Sequence, residues 1–229
     1  ADRQPEFTQI DLEMSFAEEE DIIRLMEDMI VSVVEKLRPD VKLTRPFPRL
    51  NYHEAMECYG CDKPDLRFGL RIKDISDIAS QTEFSVFRSV IAAGGKVKGI
   101  VAPGCGGYSR SQLEELNQFV RGLGAGGVVA VALGSVPGEL DKLTMENVKS
   151  VAAKYLTLEH VLTMARRLEA DTGDLLLIVA GKPKQVNAVL GELRREIGRR
   201  LKLADTNTLN FSFIVDFPFL EKGDKSGEW

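Results

Sequence analysis

Three short apolar runs set the tightest limit on what this chain can fold into. "GGKVKGIVAPG", "GGVVAVALG" (residues 126–134) and "GDLLLIVAG" (residues 173–181) each place a few apolar residues between glycine turns. A run of that length, bounded by turns, reads as a buried strand. Helical segments separate the runs. Ser109 is placed to cap a helix running to about Leu123. Residues 135–140 read as a loop, and 144 to about 170 as helical, in one piece or two. Pro183 stands where a helix starts, and that helix runs to about Leu203. The alternation predicts an α/β (α+β) fold, with a compact sandwich between residue 74 and about residue 206.

The flanks have a different texture. In "EFTQIDLEM" (residues 6–14), Phe7, Gln9, Asp11 and Glu13 alternate with Thr8, Ile10, Leu12 and Met14. A strand would bury Ile10, Leu12 and Met14 and present the other row. That row suits either a solvated face or a face that meets a ligand. Ser15 and Glu18 have capping-box spacing. Ile22, Met26, Met29, Ile30, Val33, Val34 and Leu37 then recur at helical spacing until Pro39. "TRPFPRL" is too proline-rich for regular structure. Residues 51–60 read as a short helix, 67–72 as a strand, and 210–221 as a final strand ended by Pro218. Neither flank can bury its own apolar face. The expected division is 1–73, 74–206 and 207–229, with the outer two pairing in space around the middle.

Composition narrows the function classes. With 44% hydrophobic and 28% charged residues the chain suits a soluble globular protein. No apolar run approaches the ~20 residues that span a bilayer, and the first residues do not resemble a signal peptide. No starting Met is present, so a processed or truncated product is expected. A net charge of −5 does not suggest a general nucleic-acid binder, though a local basic patch is compatible with it. Three cysteines are too few for a secreted disulfide framework, which points to a cytoplasmic setting. Cys58 and Cys61 have CxxC spacing with His53 nearby. A structural zinc site needs four ligands, and only Cys105 and His160 remain, both in the middle region, so no metal site is expected. "GCGG" and "GLGAGG" lack the Lys-Ser/Thr of a phosphate loop and read as turns. Arg194, Arg195, Arg199, Arg200 and Lys202 form a basic helix end, either a solvated face or a contact for RNA phosphates.

"RQPEFTQIDLEMSF" (residues 3–16) resembles the second strand of motif two in class II aminoacyl-tRNA synthetases of the bacterial aspartyl type. Arg3 and Phe7 match the general class pattern, and the "TQID-E" extension marks the aspartyl subgroup. "FPRLNYHEAMECYGCDKPDLRFGL" (residues 47–70) resembles the segment that follows. "GGKVKGIVAPG", "SRSQLEEL", "GDLL" and "LGELR" match, in order, an insertion domain shared with a subunit of a tRNA-dependent amidotransferase. "VDFPFLE" resembles the return to the catalytic domain, whose sheet is antiparallel. Two positions depart from the pattern: Cys61 replaces a usual Ser, and "GGVVAVALG" lacks an aromatic often found there.

The resemblance implies an internal fragment of an aspartate–tRNA ligase. Such an enzyme activates aspartate with ATP and Mg2+ and transfers it to tRNA, and the parent is a homodimer. By resemblance, Phe7 stacks on adenine, Gln4 touches the nucleotide, and Arg3 lies near the phosphates or the tRNA end. Gln9 and Asp11 face bound aspartate, Asp11 accepting from its α-ammonium, and Glu13 continues the row. The family's catalytic Arg in the first strand of motif two falls before Ala1. The glycine-rich third motif and the aspartate-binding histidines fall beyond Trp229. The fragment alone is therefore expected to be inactive. The alternative is a non-catalytic tRNA-associated module of the amidotransferase type, which would not carry the motif-two strand.

Overall fold

The computed structural model of the chain describes residues 6–134 and 140–220. Helix α1 (Glu19–Leu37) is capped by Glu18 rather than Ser15: the Glu18 N–H donates to Asp21 Oδ2 at 3.1 Å. Phe16 stands at φ +57°, so the chain bends between Ser15 and Glu18 and their spacing is not helical. Strands β1 (Lys42–Leu43) and β2 (Arg49–Asn51) lead into α2 (Tyr52–Tyr59). The Asn51 side chain caps α2, accepting from the His53 N–H at 2.8 Å.

The strand expected over 67–72 does not form. Buried Arg194 donates to the carbonyls of Asp65 (2.7 Å), Phe68 (2.8 Å) and Gly69 (2.8 Å). A guanidinium thus takes carbonyls that a ladder would need, and Leu70 at φ +61° interrupts any extended run. The sheet begins instead at β3 (Lys73–Asp74). Two helices not anticipated from sequence, α3 (Ser76–Ser80) and α4 (Ser85–Ala92), precede β4 (Lys96–Ala102).

Ser109 and Gln112 form a reciprocal capping box at the start of α5 (Arg110–Gly122), followed by β5 (Val129–Leu133). Of the helical stretch expected over 144 to about 170, in one piece or two, only α6 (Leu158–Leu168) is α-helix; single 3-10 turns and the short strand β6 (Val148–Lys149) precede it. Residues 148–149 are drawn into the sheet by β5, and Thr157 caps α6 only after that. β7 (Leu175–Gly181) and α7 (Pro183–Arg200) stand where expected, α7 ending slightly early. The final strand is shorter than 210–221. Among its described residues only β9 (Phe213–Val215) is strand, β8 (Thr208–Leu209) lies just before it, and Asp216 at φ +58° ends the extended run.

The central sheet runs β3-β4-β7-β5-β6 and is antiparallel at every pairing. Both faces of β7 are covered, which is why its sequence is apolar without alternation. Leu176 and Ile178 pack toward α3, α4 and α6, while Leu175, Leu177 and Val179 pack toward α5 and α7. On the flanks, β1 pairs with β8 and β2 with β9, both in parallel. A parallel pair needs a long crossover, and here the whole stretch from 52 to 212 supplies it. Phe47, 4% exposed, closes the flank core with Phe211 at 5.3 Å and Phe213 at 6.0 Å between ring centroids.

One buried polar group fastens α2 to the sheet. Lys98, 2% exposed in β4, donates to Glu57 Oε2 at 2.5 Å and Asn187 Oδ1 at 2.8 Å. Asn187 in turn donates to Glu57 Oε1 at 2.9 Å. Burial pushes the Glu57 carboxyl up, but hydrogen bonds from Lys98 and Asn187 outweigh it and hold the group below the usual range. Glu57→Ala should therefore destabilise the fold by about 2 kcal/mol, because it strands a buried ammonium; the half-exposed carboxylate keeps the figure below that of a fully buried pair. Adding Lys98→Met should restore most of the loss. Urea titrations of the single and double variants test this, and equal destabilisation by both would exclude a role for the pair. Because the folded carboxyl titrates lower than the unfolded one, its contribution is present above about pH 4.3. It is lost as pH falls through the folded value.

Candidate functional site

Arg3 and Gln4 lie outside the described residues. Residues 6–14 are described and form neither strand nor helix. A strand needs a ladder neighbour, and no described strand pairs with this segment. The expected burial of Ile10, Leu12 and Met14 is accordingly not found: they are 77%, 50% and 49% exposed, and Phe7 is 70% exposed. Gln9, Asp11 and Glu13 are exposed as well. In α1, Ile23 is buried, while Ile22, Val33 and Leu37 of the expected apolar stripe are exposed.

The frame behind this segment is well tied. The Phe47 N–H donates to Glu27 Oε1 at 3.0 Å, Arg49 Nη2 donates to Glu20 Oε2 at 2.9 Å, and Arg45 pairs with Glu35. Hydrogen bonding from Arg49 holds the Glu20 carboxyl below its ordinary range. Where the outgoing and returning flanks meet, Asn51 Nδ2 donates to Asp216 Oδ2 at 2.7 Å. The Tyr52 ring lies 4.8 Å from that of Phe217. α1, β2 and β9 thus form one braced unit at whose edge residues 6–14 lead into α1.

Other sequence features resolve into structural roles. Arg71 Nη2 lies 3.2 Å from Cys58 Sγ, and Cys58 and Cys61 are half-buried free thiols. Cys105 is buried, which pushes its thiol up. His160 Nδ1 accepts from the Thr157 N–H at 3.2 Å, closing the α6 cap. Among the described residues, no group of three or more His, Cys, Asp or Glu is placed to hold a metal ion.

At the basic helix end, Arg195 pairs with Glu192, Arg199 with Glu196 at 2.8 Å, and Arg200 with Glu196 at 2.6 Å and Glu115 at 3.4 Å. Hydrogen bonds from Arg199 and then Arg200 hold the Glu196 carboxyl down to about 2 against desolvation. Arg194 is buried. The acidic partners of Arg195, Arg199 and Arg200 favour the solvated-face reading for those three, while Arg194 fits neither reading. Sequence reasoning missed the Asn51–Asp216 contact and the Lys98–Glu57–Asn187 group. A lysine inside an apolar strand was a visible signal for the second; the first had none.

The sequence profile described as tRNA synthetases class II (D, K and N) matches residues 1–226. The chain is 54% identical over 229 residues to the Aspartate--tRNA(Asp/Asn) ligase of Dehalococcoides mccartyi, covering 100% of this chain and 38% of that protein. It is 49% identical over 221 residues to the Symbiobacterium thermophilum protein of the same name, covering 96% of this chain and 36% of that one. The protein of that name from Geotalea uraniireducens is 44% identical over 229 residues, with 100% and 37% covered. The chain thus spans well under half the length of these relatives.

Proposed function

The chain belongs to the class II tRNA synthetases of the D, K and N type, and we propose that it is an internal part of an aspartate–tRNA ligase. The observation that carries this reading is the identity of 54% along all 229 residues to a protein of that name, joined to the motif-two segment at residues 3–16. In the proposed reaction an aspartate carboxylate oxygen bonds to the α-phosphorus of ATP and pyrophosphate leaves. The aspartyl group then passes to a hydroxyl at the tRNA end, and AMP leaves. Such chemistry depends on positioning and on neutralising developing charge.

In this reading, Phe7 supplies a flat apolar face for adenine, with Gln4 and Arg3 toward the nucleotide. Asp11 accepts from the α-ammonium of aspartate, and Gln9 lies beside it. The exposure of Phe7, Gln9 and Asp11 leaves them open to ligand and to a neighbouring strand, which supports the assignment. Magnesium binds largely through phosphates and water, and no step is assigned to it on the described residues. Residues 1–73 and 207–229 are read as catalytic-domain segments and 74–206 as an inserted domain; the β1–β8 and β2–β9 pairings support that division. The parent is read as a cytoplasmic homodimer. No helix of the described residues is long and apolar enough to cross a membrane. The relatives' names carry Asp/Asn, which supports a parent that aspartylates both tRNAs.

The test uses the intact ligase. Asp11→Ala should lower kcat/KM for aspartate in pyrophosphate exchange by about 10²-fold, with KM for ATP nearly unchanged. Phe7→Ala should raise KM for ATP instead. An Asp11→Ala enzyme with parental aspartate kinetics would remove the residue from the site. Aminoacylation of purified tRNAs for aspartate and asparagine tests the breadth.

A further inference from the structure

Among the described residues, the sheet of the middle region has an open edge. β5 is paired along Val129 to Ala132 with β7 on one side. On its other side β6 pairs only with Ala132 and Leu133. Val129, Ala130 and Val131 therefore have no strand neighbour on that side among the described residues. Beside this edge lies a groove of about 790 Å³. Edges left this way are templates for another strand.

The two walls of the groove differ in chemistry. Toward α4 it is lined by Phe84 and Val86, with Val151 at the rim, and Val86 and Val151 are exposed. Toward α5 it carries Arg110, Leu113, Glu114, Asn117 and Arg121. Lys149 belongs to the α5 side, because it pairs with Ala132, whose side chain packs in the core on that side. Arg110, Arg121 and Lys149 also line the groove, and none has an acidic partner within 4 Å among the described residues. Most arginines elsewhere in the chain do, among them Arg49, Arg71, Arg167 and Arg199. Gly107 and Gly126 keep two further stretches of the lining free of side chains.

We infer that this groove binds an extended peptide segment that adds as a strand to the β5 edge and alternates apolar with acidic side chains. Strand side chains point to opposite faces in turn. An added strand would therefore set one row against Phe84 and Val86 and the other against Arg110, Arg121 and Lys149. Main-chain hydrogen bonds to the edge supply affinity, and the two walls supply specificity. Self-pairing of two copies through this edge is opposed by charge, since the same cations would meet. Single-stranded RNA would also answer the cations, but such sites stack bases on exposed aromatic faces. Among the described residues, the groove offers only the half-buried rings of Phe84 and Tyr108.

The test is fluorescence polarisation of the 229-residue chain with dye-labelled peptides of about eight residues. A peptide alternating Glu and Val should bind saturably. Binding should weaken at least about tenfold for the same composition in blocked order, for alternate backbone N-methylation, and for the Arg110→Glu, Arg121→Glu double variant. Those exposed substitutions should leave the circular dichroism spectrum unchanged. Equal binding of alternating and blocked peptides, insensitivity to N-methylation, or no saturable binding would each overturn the inference. So would tighter binding of a single-stranded RNA oligomer, or dimerisation of the chain through the β5 edge.

Discussion

Purified alone, the 229-residue chain is expected to show no aspartate-dependent pyrophosphate exchange above background. The chain covers 38% of the Dehalococcoides relative. By resemblance, the catalytic arginine of motif two and the glycine-rich third motif map outside it. On the proposed reading, what it contributes is an adenine platform at Phe7 and part of an amino-acid pocket at Gln9 and Asp11. Losing one preorganised donor to a developing oxyanion costs about 10² to 10³ in rate, and here several are missing together. The described part of the motif-two segment is also unpaired, so the residues that are present are not held in a ligand-ready row. Exchange by the chain within about tenfold of the intact ligase would mean that the catalytic groups have been assigned to the wrong part of the protein.

Gly60→Ala should destabilise the chain by about 3 to 5 kcal/mol, the largest effect expected from adding one methyl group. Gly60 closes α2 at φ +76°, and a Cβ there would meet the Asn187 carbonyl oxygen at 2.1 Å and Gly191 Cα at 2.8 Å. Both obstacles are α7 backbone, which cannot rotate away. The left-handed conformation adds a further penalty of roughly 1 kcal/mol for any residue with a Cβ. Relief would need α2 to lift from α7, and that would pull Glu57 from Lys98. Gly107→Ala is the control, since nothing lies within 4 Å of its Cβ position. Urea midpoints that shift equally for the two variants would show that the α2–α7 approach yields without cost.

The elements legible in the sequence were those specified locally. β4, β5 and β7 are apolar runs bounded by glycine, α5 opens on a capping box at Ser109, and α7 opens on Pro183. β6 escaped because two residues carry no period, and its strand state comes from β5. The segment at residues 6–14 shows the converse. Its period-two pattern is plain, yet alternation alone does not make a strand without a neighbour. The row Phe7, Gln9, Asp11 and Glu13 could be named from sequence because the resemblance is dense there. Asn51 and Asp216, 165 residues apart, form a contact no local pattern announces.

The parallel pairing of β2 with β9 bears on how such a chain evolves. Asn51 leaves β2 and Phe213 enters β9 in adjacent, in-register strands. From strand rise and spacing, the exit and entry points are only roughly 8 Å apart. A short linker could bridge that gap. On the proposed division, a lineage could therefore gain, lose or exchange the stretch between them without separating β2 from β9.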